Sequence, residues 1–147
     1  YNFKQGTYMT NWLYQIRIVV TPELSADLRS LRSSTTAKLI TKIATDNSME
    51  LICTYDAFKA YCDEAEKNGL NEFPLYHWTK TTIDDPVKKE KHQKSFAFYL
   101  GNEQIYPKSS AEKLYNDLMS RNIEDVLDIK FIDSNPANNP QPPRETE

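Results

Sequence analysis

A strand pattern runs directly into a helix start near the beginning of the chain. Across residues 13–20, large apolar side chains alternate with Gln15 and Arg17, the period-two pattern of a half-buried β-strand. Thr21-Pro22-Glu23 follows, and a threonine cap, a proline in the first helical position and an acid in the first turn together predict a helix. The chain therefore has to combine helices with a sheet.

The remaining patterns predict further helices and strands. Helical spacing of apolar residues recurs over 24–31, 39–44, 58–65 and 111–118, and strand patterns occur over 73–83, 95–100, 104–106 and 127–131. Residues 49–55 fit either a short strand or the first turns of a helix that ends at Gly69, and their three-four rhythm favours the helix. Residues 87–94 are predicted to be a charged connection, and Gly101-Asn102 a hairpin turn.

This order of elements predicts an α+β fold of the ferredoxin-like, split β-α-β sandwich type. The expected sheet is antiparallel with helices on one face, and an extra helix enlarges the connection between the first and second strands. A single domain is expected over residues 1–133, in which residues 1–8 are non-native and Met9 is the natural start. Residues 134–147 form a Pro/Asn-rich tail, whose segment 136–143 is predicted to lie on an aromatic surface that includes Tyr76 or Trp78.

Composition excludes several classes of function. The chain has three glycines among its 147 residues and no glycine-rich loop that could hold a phosphate, so a nucleotide cofactor is not expected. Its net charge of −3 disfavours nucleic-acid binding, which depends on an excess of Lys and Arg. No apolar run approaches the roughly 18–20 residues that span a bilayer. Cys53 and Cys62 are expected to be reduced and buried, which indicates a cytoplasmic protein, and no metal-ligand spacing is present.

One stretch suggests RNA binding. The segment 94–101 resembles the RNP1 motif of RRM domains, K/R-G-F/Y-G/A-F-V-x-F/Y, and it matches that motif at Lys94, Phe96, Ala97 and Phe98. The resemblance implies that Phe96 and Phe98 stack on the bases of single-stranded RNA. Alternatively, these two rings belong to the core of an amphipathic strand, and the acidic charge of the chain favours that interpretation.

A second stretch suggests phosphodiesterase chemistry. His77-Trp78-Thr79 resembles one H-x-T triplet of the 2H phosphoesterases, which implies catalytic roles for His77 and Thr79. Those enzymes use two such triplets, one histidine as base and the other as acid. The second histidine here, His92, begins a triplet without a hydroxyl residue. A non-enzymatic protein is therefore favoured.

An aromatic surface gives the preferred hypothesis. If residues 73–83 form a strand, Tyr76, Trp78 and Lys80 share one of its faces. Tyr and Trp are common anchors of protein interfaces. The sequence thus predicts a non-enzymatic protein-binding module, for example an inhibitor or immunity-type protein, that binds a protein partner through Tyr76, Trp78 and Lys80. Self-association into a homo-oligomer stays open.

Overall fold

The computed structural model describes residues 13–30 and 34–134. The expectations for residues 1–8, for the start at Met9 and for the docking of residues 136–143 lie outside the described residues. The elements in chain order are β1 (Tyr14–Val20), α1 (Pro22–Arg29), α2 (Thr35–Asp46), β2 (Met49–Cys53), α3 (Thr54–Asn68), α4 (Tyr76–Asp84), α5 (Pro86–Gln93), β3 (Ser95–Leu100), α6 (Lys108–Arg121) and β4 (Val126–Asp133).

The four strands form one antiparallel sheet in the order β2-β3-β1-β4. This is the strand order of the ferredoxin-like sandwich, so the predicted fold is confirmed. The two helices α1 and α2 occupy the first crossover, which confirms the extra helix there, and α6 occupies the second crossover. On the central strand β1, Ile18 is paired with Phe96 on one side and with Ile129 on the other.

The main core lies between one face of the sheet and helices α1, α2 and α6. Ile16, Ile18 and Val20 of β1 are fully buried on this face, as their period-two spacing predicts. The opposing helices contribute apolar residues at helical spacing: Leu24, Ala37, Ile40, Ile43, Ala44, Ala111, Leu114 and Leu118. The same core includes Phe96 and Phe98, which confirms the core interpretation of these two rings.

Helix ends follow the local signals in the sequence. The side chain of Thr21 accepts a hydrogen bond from the N–H of Leu24 at 3.2 Å, so it caps α1 as predicted. The backbone N–H of Gly69 bonds the carbonyl of Ala65 at the end of α3, and Gly69 has a φ of 101°, which suits glycine.

Residues 49–53 form a strand, so the preferred helical prediction for residues 49–55 is wrong. β2 pairs with β3 from Met49 opposite Leu100 to Cys53 opposite Phe96. This pairing outweighs the helical rhythm because a strand gains its stability from cross-strand neighbours and burial rather than from its own sequence. α3 begins at the next residue, Thr54.

The predicted strand over residues 73–83 is also wrong, because α4 occupies residues Tyr76–Asp84. Its Thr and aromatic residues have a high strand propensity, but the segment packs on α3 rather than pairing with a strand. The buried residues Thr79, Thr82 and Ile83 follow the three-four spacing of a helix, a signal that the strand interpretation overlooked.

The predicted charged connection at residues 87–94 is a helix instead. The carboxylate of Asp85 accepts a hydrogen bond from the N–H of Val87 at 2.9 Å, and Pro86 occupies the first position of α5. Asp85-Pro86 is thus a cap followed by a proline, like Thr21-Pro22, and not only the end of a preceding element.

The hairpin predicted at Gly101-Asn102 is present only as a tight turn. Leu100 and Glu103 form an isolated bridge across it, and Gly101 has a φ of 63°. The predicted strand 104–106 is reduced to a single bridge between Tyr106 and Tyr14. No regular strand forms there because Tyr106 pairs with β1 and not with β3.

Between β2 and β3 the chain forms a helical insert, which we define as α3, α4 and α5. The insert packs over the sheet face that is opposite the main core, where Arg17 and Ala97 lie. Helices therefore lie on both faces of the sheet, so the prediction that they cover only one face is wrong. The insert is an addition to the predicted sandwich. None of the helices within the described residues is long and apolar enough to cross a membrane.

Candidate functional site

A cavity of about 590 Å³ lies between the sheet and the helical insert. We call it the sheet–insert cavity. The sheet side is formed mainly by Arg17, Ile52, Ala97 and Tyr99, and the insert side by Ala57, Phe58, Tyr61, Leu75, Trp78, Thr79 and His92. Its volume falls in the range of about 300–1,000 Å³ that is usual for small-molecule sites.

Strand alternation explains which residues reach the cavity. Arg17 stands between Ile16 and Ile18, so its side chain is on the face opposite the main core. Ala97 is the register partner of Arg17 on β3 and shares that face. The polar positions in the alternating pattern of β1 thus lie on the sheet face that the helical insert covers, and not on a face that is open to solvent.

Arg17 is held in place by a buried amide. Its Nε donates a hydrogen bond to Oε1 of Gln15 at 2.6 Å, and Nε2 of Gln15 donates to the carbonyl of Gln104 at 2.9 Å. Gln15 has only 4% of its surface exposed. Within the described residues, no carboxylate forms an ion pair with Arg17. The terminal guanidinium nitrogens therefore keep unused donors at the cavity.

Two hydroxyl groups add hydrogen-bonding capacity. Thr79 has 4% of its surface exposed, and its hydroxyl has no hydrogen-bond partner among the described residues. The hydroxyl of Tyr61 accepts a hydrogen bond from the N–H of Leu75 at 3.1 Å, which leaves its own hydrogen free to donate. A buried hydroxyl without a partner is uncommon in folded proteins, because its desolvation is then uncompensated.

Aromatic rings form the wall that the insert contributes. The centroid of the Phe58 ring lies 6.0 Å from that of the Trp78 ring, in an edge-to-face arrangement, and 5.2 Å from that of the His92 ring. Burial lowers the pKa of His92, and the positive charges of Lys91 and Arg17 lower it further. His92 is therefore neutral at neutral pH, and the charge at the cavity comes from Arg17.

The structure separates the three predicted site residues Tyr76, Trp78 and Lys80, which do not share one strand face. On α4, Tyr76 and Lys80 lie on one side because they are four residues apart, and Trp78 points elsewhere. The Tyr76 hydroxyl donates to Glu66 at 2.6 Å, and Lys80 pairs with Asp84 at 3.4 Å. Only Trp78 presents a large unpaired surface, with 60% of it exposed.

The residues predicted for catalysis and RNA binding are not arranged for those functions. His77 and Thr79 belong to a helix, where His77 is exposed and Thr79 is buried, so they cannot act together as strand neighbours. Phe96 and Phe98 are 2% and 0% exposed within the core and cannot stack on bases. In the described ranges, no group of three His, Cys, Asp or Glu side chains could hold a metal ion.

The sequence matches no protein-family model, no curated protein and no solved structure.

Proposed function

We propose that the protein is a non-enzymatic protein-binding module that binds a protein partner through the exposed apolar surface of α4. The observation that carries this proposal is the exposure of two adjacent anchors, Leu75 at 59% and Trp78 at 60%. They are three residues apart and therefore lie on one turn at the start of the helix. We call them the α4 anchors.

The chemistry of the α4 anchors supports this role. Tryptophan combines a large rigid surface with a polar N–H group and is among the residues that contribute most to binding energy at interfaces. Leu70 and Val87, in the segments that precede and follow α4 in the chain, are exposed as well. Exposed apolar surface that is concentrated in one region is typical of interaction sites.

Of the three residues predicted from the sequence to bind a partner, Tyr76, Trp78 and Lys80, only Trp78 belongs to this surface. Tyr76 and Lys80 are tied to Glu66 and Asp84 and are assigned to support of the helix rather than to binding. Leu75 takes their place because its exposed side chain has no such partner.

An affinity-capture experiment with matched variants tests this function. The full chain is immobilised as wild type, Leu75→Ser, Trp78→Ala and the control Leu127→Ser, and the retained proteins are quantified by mass spectrometry. Leu127 is a suitable control because it is 60% exposed on β4, away from the insert. We expect at least one protein that wild type and Leu127→Ser retain and both anchor variants lose.

The captured protein is then purified and its affinity is measured directly. Loss of either anchor should weaken binding by about 30-fold, the effect of an interface hot spot of about 2 kcal/mol. Binding that is equal in all four proteins, or that Leu127→Ser weakens as strongly, would refute the α4 surface as the interface.

A further inference from the structure

The charge of Arg17 is unusual for its surroundings. The sheet–insert cavity is lined mainly by apolar and aromatic side chains, yet it includes a guanidinium group that has no carboxylate partner among the described residues. Arg17 is half-buried, and even the partial removal of a charge from water has a cost unless that charge is paired and hydrogen-bonded. A neutral amide, Gln15, satisfies only Nε.

The position of Gln15 preorganises Arg17 for a ligand. Because the amide bonds Nε and is itself fixed by the carbonyl of Gln104, the orientation of the guanidinium plane is restrained. The terminal nitrogens remain as a pair of parallel donors, the geometry that binds a carboxylate through two hydrogen bonds.

Thr79 is an independent indication that the cavity has an occupant. Its hydroxyl is buried on the insert side of the cavity, while Arg17 is on the sheet side. No described residue accepts or donates a hydrogen bond to this hydroxyl. Each wall of the cavity therefore includes a residue that has a hydrogen-bond donor without a partner among the described residues.

We propose that the sheet–insert cavity binds a small aromatic carboxylate, whose carboxylate group pairs with Arg17 and whose ring packs against Phe58 and Trp78. The bound molecule would also provide the hydrogen-bond partner that the Thr79 hydroxyl lacks. This site shares Leu75 and Trp78 with the protein-binding surface of α4, but its charged group, Arg17, belongs to β1.

Charge and shape favour this ligand class over others. One guanidinium beside a neutral imidazole matches one negative charge, whereas a phosphate monoester carries close to two. The edge-to-face rings of Phe58 and Trp78 offer a wall that suits a flat ring. A concave site of about 590 Å³ between a sheet and helices has the usual size of a small-molecule site.

Calorimetric titration of the full chain with phenylacetate tests the proposal. Phenylacetamide, which has the same shape without the charge, and phenyl phosphate, which has the ring and a different anion, are the matched probes. We expect wild type to bind phenylacetate at least about tenfold more tightly than either. This comparison uses unmodified protein, so it does not depend on how a variant folds.

Variants then locate the site. Arg17→Gln should weaken binding of phenylacetate by at least about tenfold, and Arg121→Gln, which removes an exposed arginine of α6, should leave it unchanged. Thr79→Val should weaken it by a smaller factor. Circular dichroism establishes that each variant is folded.

Three results would overturn the proposal. They are the absence of binding by wild type at millimolar phenylacetate, equal binding of phenylacetamide or phenyl phosphate, and unchanged binding by a folded Arg17→Gln protein. None of these bears on the proposed function, because the α4 anchors are tested by different variants and a different ligand.

Discussion

The hydroxyl group of Tyr106 accepts a hydrogen bond from the backbone N–H of Ile16 at 2.9 Å, inside the main core. The same hydroxyl donates to the carbonyl of Phe98 at 3.0 Å. One side chain therefore satisfies a donor on β1 and an acceptor on β3, close to the end of the pairing between these strands. Burial raises the pKa of Tyr106 to about 12, so the donating proton is retained at neutral pH.

Tyr106→Phe should lower the free energy of unfolding by about 1–3 kcal/mol, because it leaves two buried backbone groups without partners. Urea denaturation measures this loss. Tyr115→Phe is the matched control, since the Tyr115 ring packs on Phe131 and no hydrogen bond of its hydroxyl is seen within the described residues. Equal stability of the two variants would show that the Tyr106 hydroxyl contributes nothing.

Phe98→Ala should destabilise the protein by about 3–5 kcal/mol, the usual effect of truncating a fully buried Phe. Leu127→Ala, at an exposed position, should change stability by less than about 0.5 kcal/mol. Chemical denaturation distinguishes the two. A Phe98→Ala protein with the wild-type midpoint that had lost binding to single-stranded RNA would instead support the RNP1 resemblance.

Both cysteines should react slowly with Ellman's reagent in the native protein. Cys53 and Cys62 are free and buried, and burial raises the pKa of each thiol, which reduces the reactive thiolate at neutral pH. In denaturant, two thiols per chain should react rapidly. Rapid reaction of either thiol before unfolding would contradict the packing around it.

The stability of the protein should depend on pH through His92. Burial is the main cause that lowers the folded-state pKa of His92 below its ordinary value of 6.5, so the unfolded chain binds more protons than the folded chain below that pH. The free energy of unfolding therefore falls as the pH drops through about 6.5 toward the folded pKa, and it is fully retained above.

Comparison with a variant isolates this effect from the carboxylates. Between about pH 7 and pH 5, wild type should lose more stability than His92→Gln, because the glutamine does not titrate. If the free energy of unfolding varied with pH equally in wild type and His92→Gln, the lowered pKa of His92 in the folded protein would be refuted.

The sequence predicted the fold class well where the signals were local. The alternation of β1 and the Thr21-Pro22 cap are patterns within a few consecutive residues, so they predict structure without knowledge of tertiary contacts. The fold type was predicted correctly but with the wrong second strand, because residues 73–83 were assigned the role that Met49–Cys53 performs. The predictions for residues 49–55 and 73–83 were wrong because tertiary contacts overrode intrinsic propensity. These contacts are the pairing of β2 with β3 and the packing of α4 on α3.

The sheet–insert cavity could not have been predicted in the same way. It forms only because Arg17 on β1 and the rings of Phe58 and Trp78 on the insert line the same cavity, on opposite walls. The spacing of Arg17, Phe58 and Trp78 along the chain does not indicate that they line one cavity. Trp78 was identified from its residue type alone, and its predicted neighbours were incorrect because a helix distributes successive side chains differently from a strand.

The helical insert also changes how the sheet has to assemble. In a plain hairpin, adjacent strands pair after a short turn. Here, Cys53 of β2 pairs with Phe96 of β3, and about 40 residues separate them in the chain. A local pairing has become a long-range one, which raises the contact order and slows folding. The three helices of the insert make mostly local contacts and can form before the strands close beneath them. We therefore expect completion of the β2–β3 pair to depend on prior folding of the insert.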